Sequence, residues 1–237
     1  MTTRTLRPGL SLLVAALALF GLCAAKATPK PSAKQNDATL THVESFYAQL
    51  LSIRRPDLAA SYNLPPRNDT FEPLSESDLP QHVEDLNLML NDADRVPSSP
   101  RADTIRARIG RELLQYGPQG DLRTSPFLWM DILQAAVMAP LAGSPTADCD
   151  ETHRIEQRLR TIPEALRGAV VLMKGAPAPD SALFQQRIAR FEFFLRSDLP
   201  ARTDACKDGR RLADFTEADT LAAASVLEFQ RSLMPGR

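Results

Sequence analysis

The sequence predicts an all-α fold: a single bundle-like domain of about seven to nine helices after a cleaved signal peptide. Three observations carry that expectation. Apolar residues recur at three- and four-residue spacing in nearly every segment beyond Leu40, the period of a helix with one buried face. The 19 prolines outnumber the 10 glycines and sit between those periodic segments as breaks. Residues with high strand propensity are sparse, and no alternating run reads as a strand. At 237 residues, 43% hydrophobic and 24% charged, the chain can bury a core of its own, which excludes a disordered protein. A net charge of −1 gives no footprint for nucleic acid.

Residues 1–27 read as a signal peptide. Arg4 and Arg7 form a basic start, Leu10 to Leu22 is an apolar run, and Ala25-Lys26-Ala27 offers small residues for cleavage near Ala27. The run is shorter than the roughly 20 residues that span a bilayer as a helix, so no membrane span is expected in the mature chain. Cys23 raises a lipoprotein alternative, which Leu22 before it disfavours. Cleavage would remove three basic residues and leave 25 basic against 29 acidic, a net charge of −4. This points to a periplasmic or secreted protein. Export into an oxidising compartment would then leave Cys149 and Cys206 as a natural disulfide pair.

Residues 28–38 are polar and proline-bearing and read as a flexible leader, with the helical domain spanning 39–237. The first helix carries Leu40, Val43, Phe46, Tyr47, Leu50 and Leu51, and Pro56 ends it and opens a short second one. Asn63 to Thr70 is kept out of helix by two adjacent prolines. Ser75-Glu-Ser-Asp78 resembles a capping box for a helix with Leu79, Val83, Leu86 and Leu90 on one face. After the break at Pro97-Ser-Ser-Pro100 comes a helix striped by Ile105, Ile109 and Leu113, closed by Gly117-Pro118.

Ser125-Pro126 caps a helix apolar nearly all round, from Phe127 through Trp129 and Leu133 to Met138, which should therefore lie at the centre. A charged helix from about Glu151 to Arg160 is expected to break at Pro163, with a separate helix running on to Met173 and Gly175. Asp180 or Ser181 caps the next helix, whose Phe184, Ile188, Phe191, Phe194 and Leu195 form a core stripe. The last helix is expected over about 216–233, with Asp219, Glu228 and Arg231 outward and Leu221, Val226, Leu227 and Phe229 packing inward.

Chemistry is harder to find. His42, His82 and His153 lie on three different helices without a His-x-x-x-His pair, so no metal site is expected; His153 with Glu151 and Glu156 reads as a solvated ion pair. Glu84, Asp85, Asp92, Asp94, Glu156, Asp214, Glu217 and Asp219 are plentiful carboxylates with no pairing visible in one dimension. No nucleophile elbow and no glycine-rich phosphate loop is present, so no catalytic residue and no cofactor is assigned. The arginines outnumber the lysines, of which only Lys174 and Lys207 lie beyond residue 34; dispersed and mostly interleaved with Asp and Glu, they read as coding bias and not as a phosphate-binding device.

One stretch, Arg158-Leu-Arg-Thr-Ile-Pro163-Glu-Ala-Leu166-Arg-Gly-Ala169, resembles the "RL-x-x-IP-x-x-L-x-x-A" segment in the N-terminal helical half of the bacterial domain-of-unknown-function (DUF) family 885. Arg55-Pro-Asp-Leu-Ala-Ala-Ser-Tyr-Asn-Leu-Pro65 is similar to that family's opening, and Glu217-Ala-Asp-Thr-Leu-Ala-Ala-Ala224 to its last helix before the catalytic half. The resemblance implies a helical scaffold akin to zinc metallopeptidases. It supplies no site residue, because the family's His-Glu-x-x-His helix has no counterpart in residues 1–237. The expectation is an exported, non-catalytic helical protein that binds a peptide or protein partner, or a second copy of itself. The alternative is the non-catalytic half of a split zinc metallopeptidase completed by a separate chain.

Overall fold

The structure is a computed structural model, and it describes residues 32–64, 71–141 and 144–234. The expected signal peptide, Cys23 and the start of the leader lie outside these residues, as do 65–70 of the proline-rich loop. No strand occurs among the described residues. Ten α-helical segments do: α1 (Ala33–Arg54), α2 (Pro56–Ser61), α3 (Leu79–Asp94), α4 (Pro100–Tyr116), α5 (Asp121–Thr124), α6 (Pro126–Met138), α7 (Cys149–Leu172), α8 (Ser181–Phe193), α9 (Leu199–Thr203) and α10 (Gly209–Leu233). α5 and α9 are single turns, which leaves eight helices of six residues or more and makes the fold all-α.

Three boundaries and one helix face differ from the sequence reading. α1 starts at Ala33, inside the segment read as a flexible leader. Ser32 accepts from the Gln35 N–H while the Gln35 side chain accepts from the Ser32 N–H, a capping box that starts the helix early. α7 runs unbroken through Pro163. The ring removes one backbone donor, at a cost of about 3 kcal/mol in an isolated helix. Yet Ile155, Leu159, Ile162, Leu166, Ala169 and Leu172 keep one continuous buried stripe across it, and burial of that stripe holds the helix together. α10 starts at Gly209, where Asp208 accepts from the N–H groups of Arg210 and Arg211.

The fourth difference concerns two positions of α10: Asp219 is buried and Leu221 is half-exposed, the reverse of the expected placement, while Val226 and Phe229 face inward and Glu228 and Arg231 outward as expected. The inward face carries Phe215, Ala218, Ala222, Ala223, Val226 and Phe229. Its alanines let α10 lie close along α7, and that close approach outweighs the burial of one leucine.

α6 is the central helix. Trp129, Met130, Ile132, Leu133 and Val137 are buried, and the Trp129 Nε1–H donates to the Leu122 carbonyl at 3.0 Å. It packs against α2, α5, α7 and α8. α3 and α4 are antiparallel: Arg106 near the start of α4 pairs with Asp94 at 3.0 Å and donates to the Ala93 carbonyl at the end of α3. α7 and α10 run parallel, as the Arg211–Asp150 pair at one end and the shared burial of Leu166 and Phe229 towards the other show. A π-helical turn (Phe194–Asp198) continues α8 into α9 and returns the chain. The Phe184, Phe191 and Phe194 stripe is core, with Phe184 edge-on to Phe229 at 6.1 Å.

The parallel pair is fastened at its leading end. Cys149, the first residue of α7, is bonded to Cys206, three residues before α10, with Cα atoms 4.6 Å apart. The bridge closes a loop with a sequence separation of 57 residues. By the chain-entropy relation such a loop destabilises the unfolded chain by about 4 kcal/mol. Replacing both cysteines by alanine is therefore expected to lower the free energy of unfolding by about that amount in urea titrations with an unchanged helical spectrum. A loss below about 1 kcal/mol would show that the bridge constrains little.

Candidate functional site

The interior holds a polar network where α1, α3 and α4 meet. Arg55, the residue between α1 and α2, has no solvent exposure. Its guanidinium grips Asp57 with two hydrogen bonds of 2.9 and 2.7 Å around the intervening proline. A third nitrogen donates to the Gln115 Oε1 at 2.7 Å and to the Tyr116 hydroxyl oxygen at 3.2 Å. The Tyr116 hydroxyl donates to the Glu112 Oε1 at 2.6 Å, and the His82 Nε2 lies 3.0 Å from that hydroxyl and 3.2 Å from the same carboxylate oxygen. Burial, then the charge of Glu112, pushes the Tyr116 hydroxyl well above its ordinary pKa, and the same two causes raise Tyr47. Burial alone would weaken the Arg55 cation, but the bond to Asp57 and the neighbouring charges reverse that and raise its pKa.

The cluster brings together an imidazole, a carboxylate and a phenol, which elsewhere serve as general acids and bases. Here His82, Glu112 and Arg55 are each at most 4% exposed. The network ties three helices together through the several partners of the Arg55 charge, while the His82 Nδ1 and the Glu112 Oε2 stay buried without a hydrogen bond.

A second buried arginine does similar work. Arg158 on α7 is 2% exposed and donates to the Ala136 carbonyl at 2.7 Å, one of the carbonyls that the end of α6 leaves without a helical partner.

The histidines and carboxylates singled out in the sequence are not gathered into a site. His42 and His153 are exposed; His153 pairs with Glu156 at 3.0 Å, but Glu156 is only 6% exposed and also takes Arg160, so the pair expected to be solvated is half-buried. Asp92 pairs with Arg95 at 3.0 Å, and Glu217 with Arg160 at 3.3 Å. Among the described residues no group of three or more His, Cys, Asp or Glu side chains could hold a metal ion, and no helix is long and apolar enough to cross a membrane.

Two surface depressions are open to a ligand and differ in chemistry. Between α7 and α10 lies an apolar groove of about 290 Å³, floored by Leu166 and Phe229 and walled by Pro163, Val170 and Val171. Val171 is 51% exposed there, and Arg167 and Glu228 stand at the rim. A hollow of about 430 Å³ lies where the end of α4, the short α5 and the turn after α7 converge. Sequence reasoning missed both. The groove joins segments some 60 positions apart in the chain, which only the fold brings together.

Comparison with family models, curated proteins and solved structures gives no match.

Asp219 is the buried carboxylate without a cation in contact. Burial pushes its pKa from 3.8 up to about 6, opposed by Arg196 on the π-helical turn. One of its oxygens is buried without a hydrogen bond. A folded-state pKa above the unfolded value favours the protonated form on folding, so this contribution is complete below pH 3.8 and is lost as pH rises through about 6. Asp219→Asn is expected to stabilise the protein by about 1–2 kcal/mol at pH 7.5, with no advantage at pH 3.5. Thermal unfolding at the two pH values checks this, and an equal effect at both would contradict it.

Proposed function

We propose that the chain is an exported, non-catalytic helical protein that binds a peptide or protein partner in the groove between α7 and α10. The observation that carries this reading is the groove itself: an apolar trough along two parallel helices, with half-exposed Val171 on its wall and one residue of each charge at its rim. Such a trough suits an amphipathic segment that buries a few apolar anchors and meets the rim with polar groups. Export is supported by the basic-then-apolar N-terminus and by the Cys149–Cys206 bridge, which persists in oxidising compartments.

Kinship with the helical half of family 885 is part of the same proposal. Arg158 and Arg55, which open two of the resembling segments, are the two buried arginines of the scaffold. A resemblance concentrated in scaffold residues supports a shared framework and carries no activity with it.

The test is capture of partners from the native envelope fraction by the immobilised protein, its Val171→Glu variant and a Leu183→Glu control on the exposed face of α8. The wild type and the control are expected to retain the same partner, and Val171→Glu to reduce its recovery at least tenfold. Equal recovery on all three, or none on any, would reject the groove as the binding surface. A captured protein bearing His-Glu-x-x-His would favour the split-peptidase alternative.

A further inference from the structure

The hollow at the end of α4 has a charge pattern that the groove lacks. Two cations enter it from separate elements, Arg123 from α5 and Lys174 from the turn after α7, and no carboxylate lines it. The Arg123 and Lys174 side chains have no hydrogen-bond or ion-pair partner among the described residues. Leu172, Ala176 and Pro177 form the apolar part of the wall, with the buried Tyr116 beside them.

Cations beside helix C-termini ordinarily satisfy the last carbonyls, and both α4 and α7 end here. That role is already filled at α7. The Met173 N–H donates to the Ala169 carbonyl at 2.9 Å and the Lys174 N–H to the Val171 carbonyl at 3.2 Å, while the Lys174 ammonium bonds neither. Each helix C-terminus contributes roughly half a negative charge. Set against two full positive charges, these leave the hollow with roughly one net positive charge, which matches a monoanion better than a phosphate dianion.

We infer that this hollow binds a carboxylate, held between Arg123 and Lys174, whose short apolar body lies against Leu172, Ala176 and Pro177. Its volume of about 430 Å³ falls within the range of small-molecule sites. A free organic acid and the C-terminal carboxylate of a peptide share this chemistry. The site is separate from the α7–α10 groove and does not depend on the partner proposed for it.

The test is calorimetric titration of the purified protein with four probes: hexanoate, inorganic phosphate, a leucine-ended tripeptide, and the same tripeptide amidated at its C-terminus. Saturable binding is expected for hexanoate, for the free tripeptide or for both, which identifies the source. Binding should be weakened at least tenfold in Arg123→Gln/Lys174→Gln and at least threefold in 0.5 M salt. The melting temperature of the double variant reports on folding, and Arg210→Gln, exposed at the start of α10 and outside both depressions, should bind as the wild type does. Equal affinity for the amidated tripeptide, tighter binding of phosphate, unchanged binding by the double variant, or no saturable binding of any probe would each overturn the inference.

Discussion

A guanidinium with no access to water must find its bonds inside the protein, and Arg55 sets the geometry of the N-terminal half for that reason. Its bidentate bond to Asp57 fixes the turn from α1 into α2. Its bonds to Gln115 and Tyr116 bring the end of α4 to that turn, and through Tyr116 and Glu112 the constraint passes to His82 on α3. Apolar contacts alone would let these helices slide by a turn; a charge with several fixed partners makes every slipped arrangement leave a buried group unpaired. Arg158 acts likewise in the C-terminal half, tying α7 to the end of the central helix α6.

These two anchors explain where the surface sites lie. Arg158 and the Cys149–Cys206 bridge hold the leading half of α7, so α10 packs tightly there on its alanine face. Beyond Pro163 the two helices no longer interlock completely, and the groove opens over Leu166 and Phe229. The cationic hollow borders the Arg55 network at Tyr116, which lines it and whose hydroxyl donates to Glu112 in the interior. Both depressions thus border buried polar bonds, which gives a physical reason for open surface at these two places on a rigid scaffold.

Local signals in the sequence were legible where a single residue type does the work. Ser125 and Asp180 cap the helices that follow them, the aromatic stripe of α8 is core, and the apolar α6 is central. The sequence misleads where two local signals compete or where the deciding partner is distant. Pro163 signals a break, yet the buried stripe on either side of it keeps one phase, and tertiary burial wins. Leu221 is more apolar than Ala222, yet proximity to α7 favours the small side chain. Arg55 and Arg158 look like their exposed neighbours because their partners, Tyr116 and Ala136, lie 61 and 22 positions away. The candidate sites were illegible for the same reason: each joins elements that only the folded chain brings together.

The measurement that bears most directly on this account is a double-mutant cycle between Arg55 and Glu112, read as unfolding free energy from urea titrations of the wild type, Arg55→Met, Glu112→Gln and the double variant. Each single substitution is expected to cost about 3–5 kcal/mol, because it strands the charge or the buried polar groups that remain. The double substitution should cost at least about 1.5 kcal/mol less than the sum of the two. Additive losses, or single losses below about 1 kcal/mol, would show that the buried network does not set the geometry of the fold.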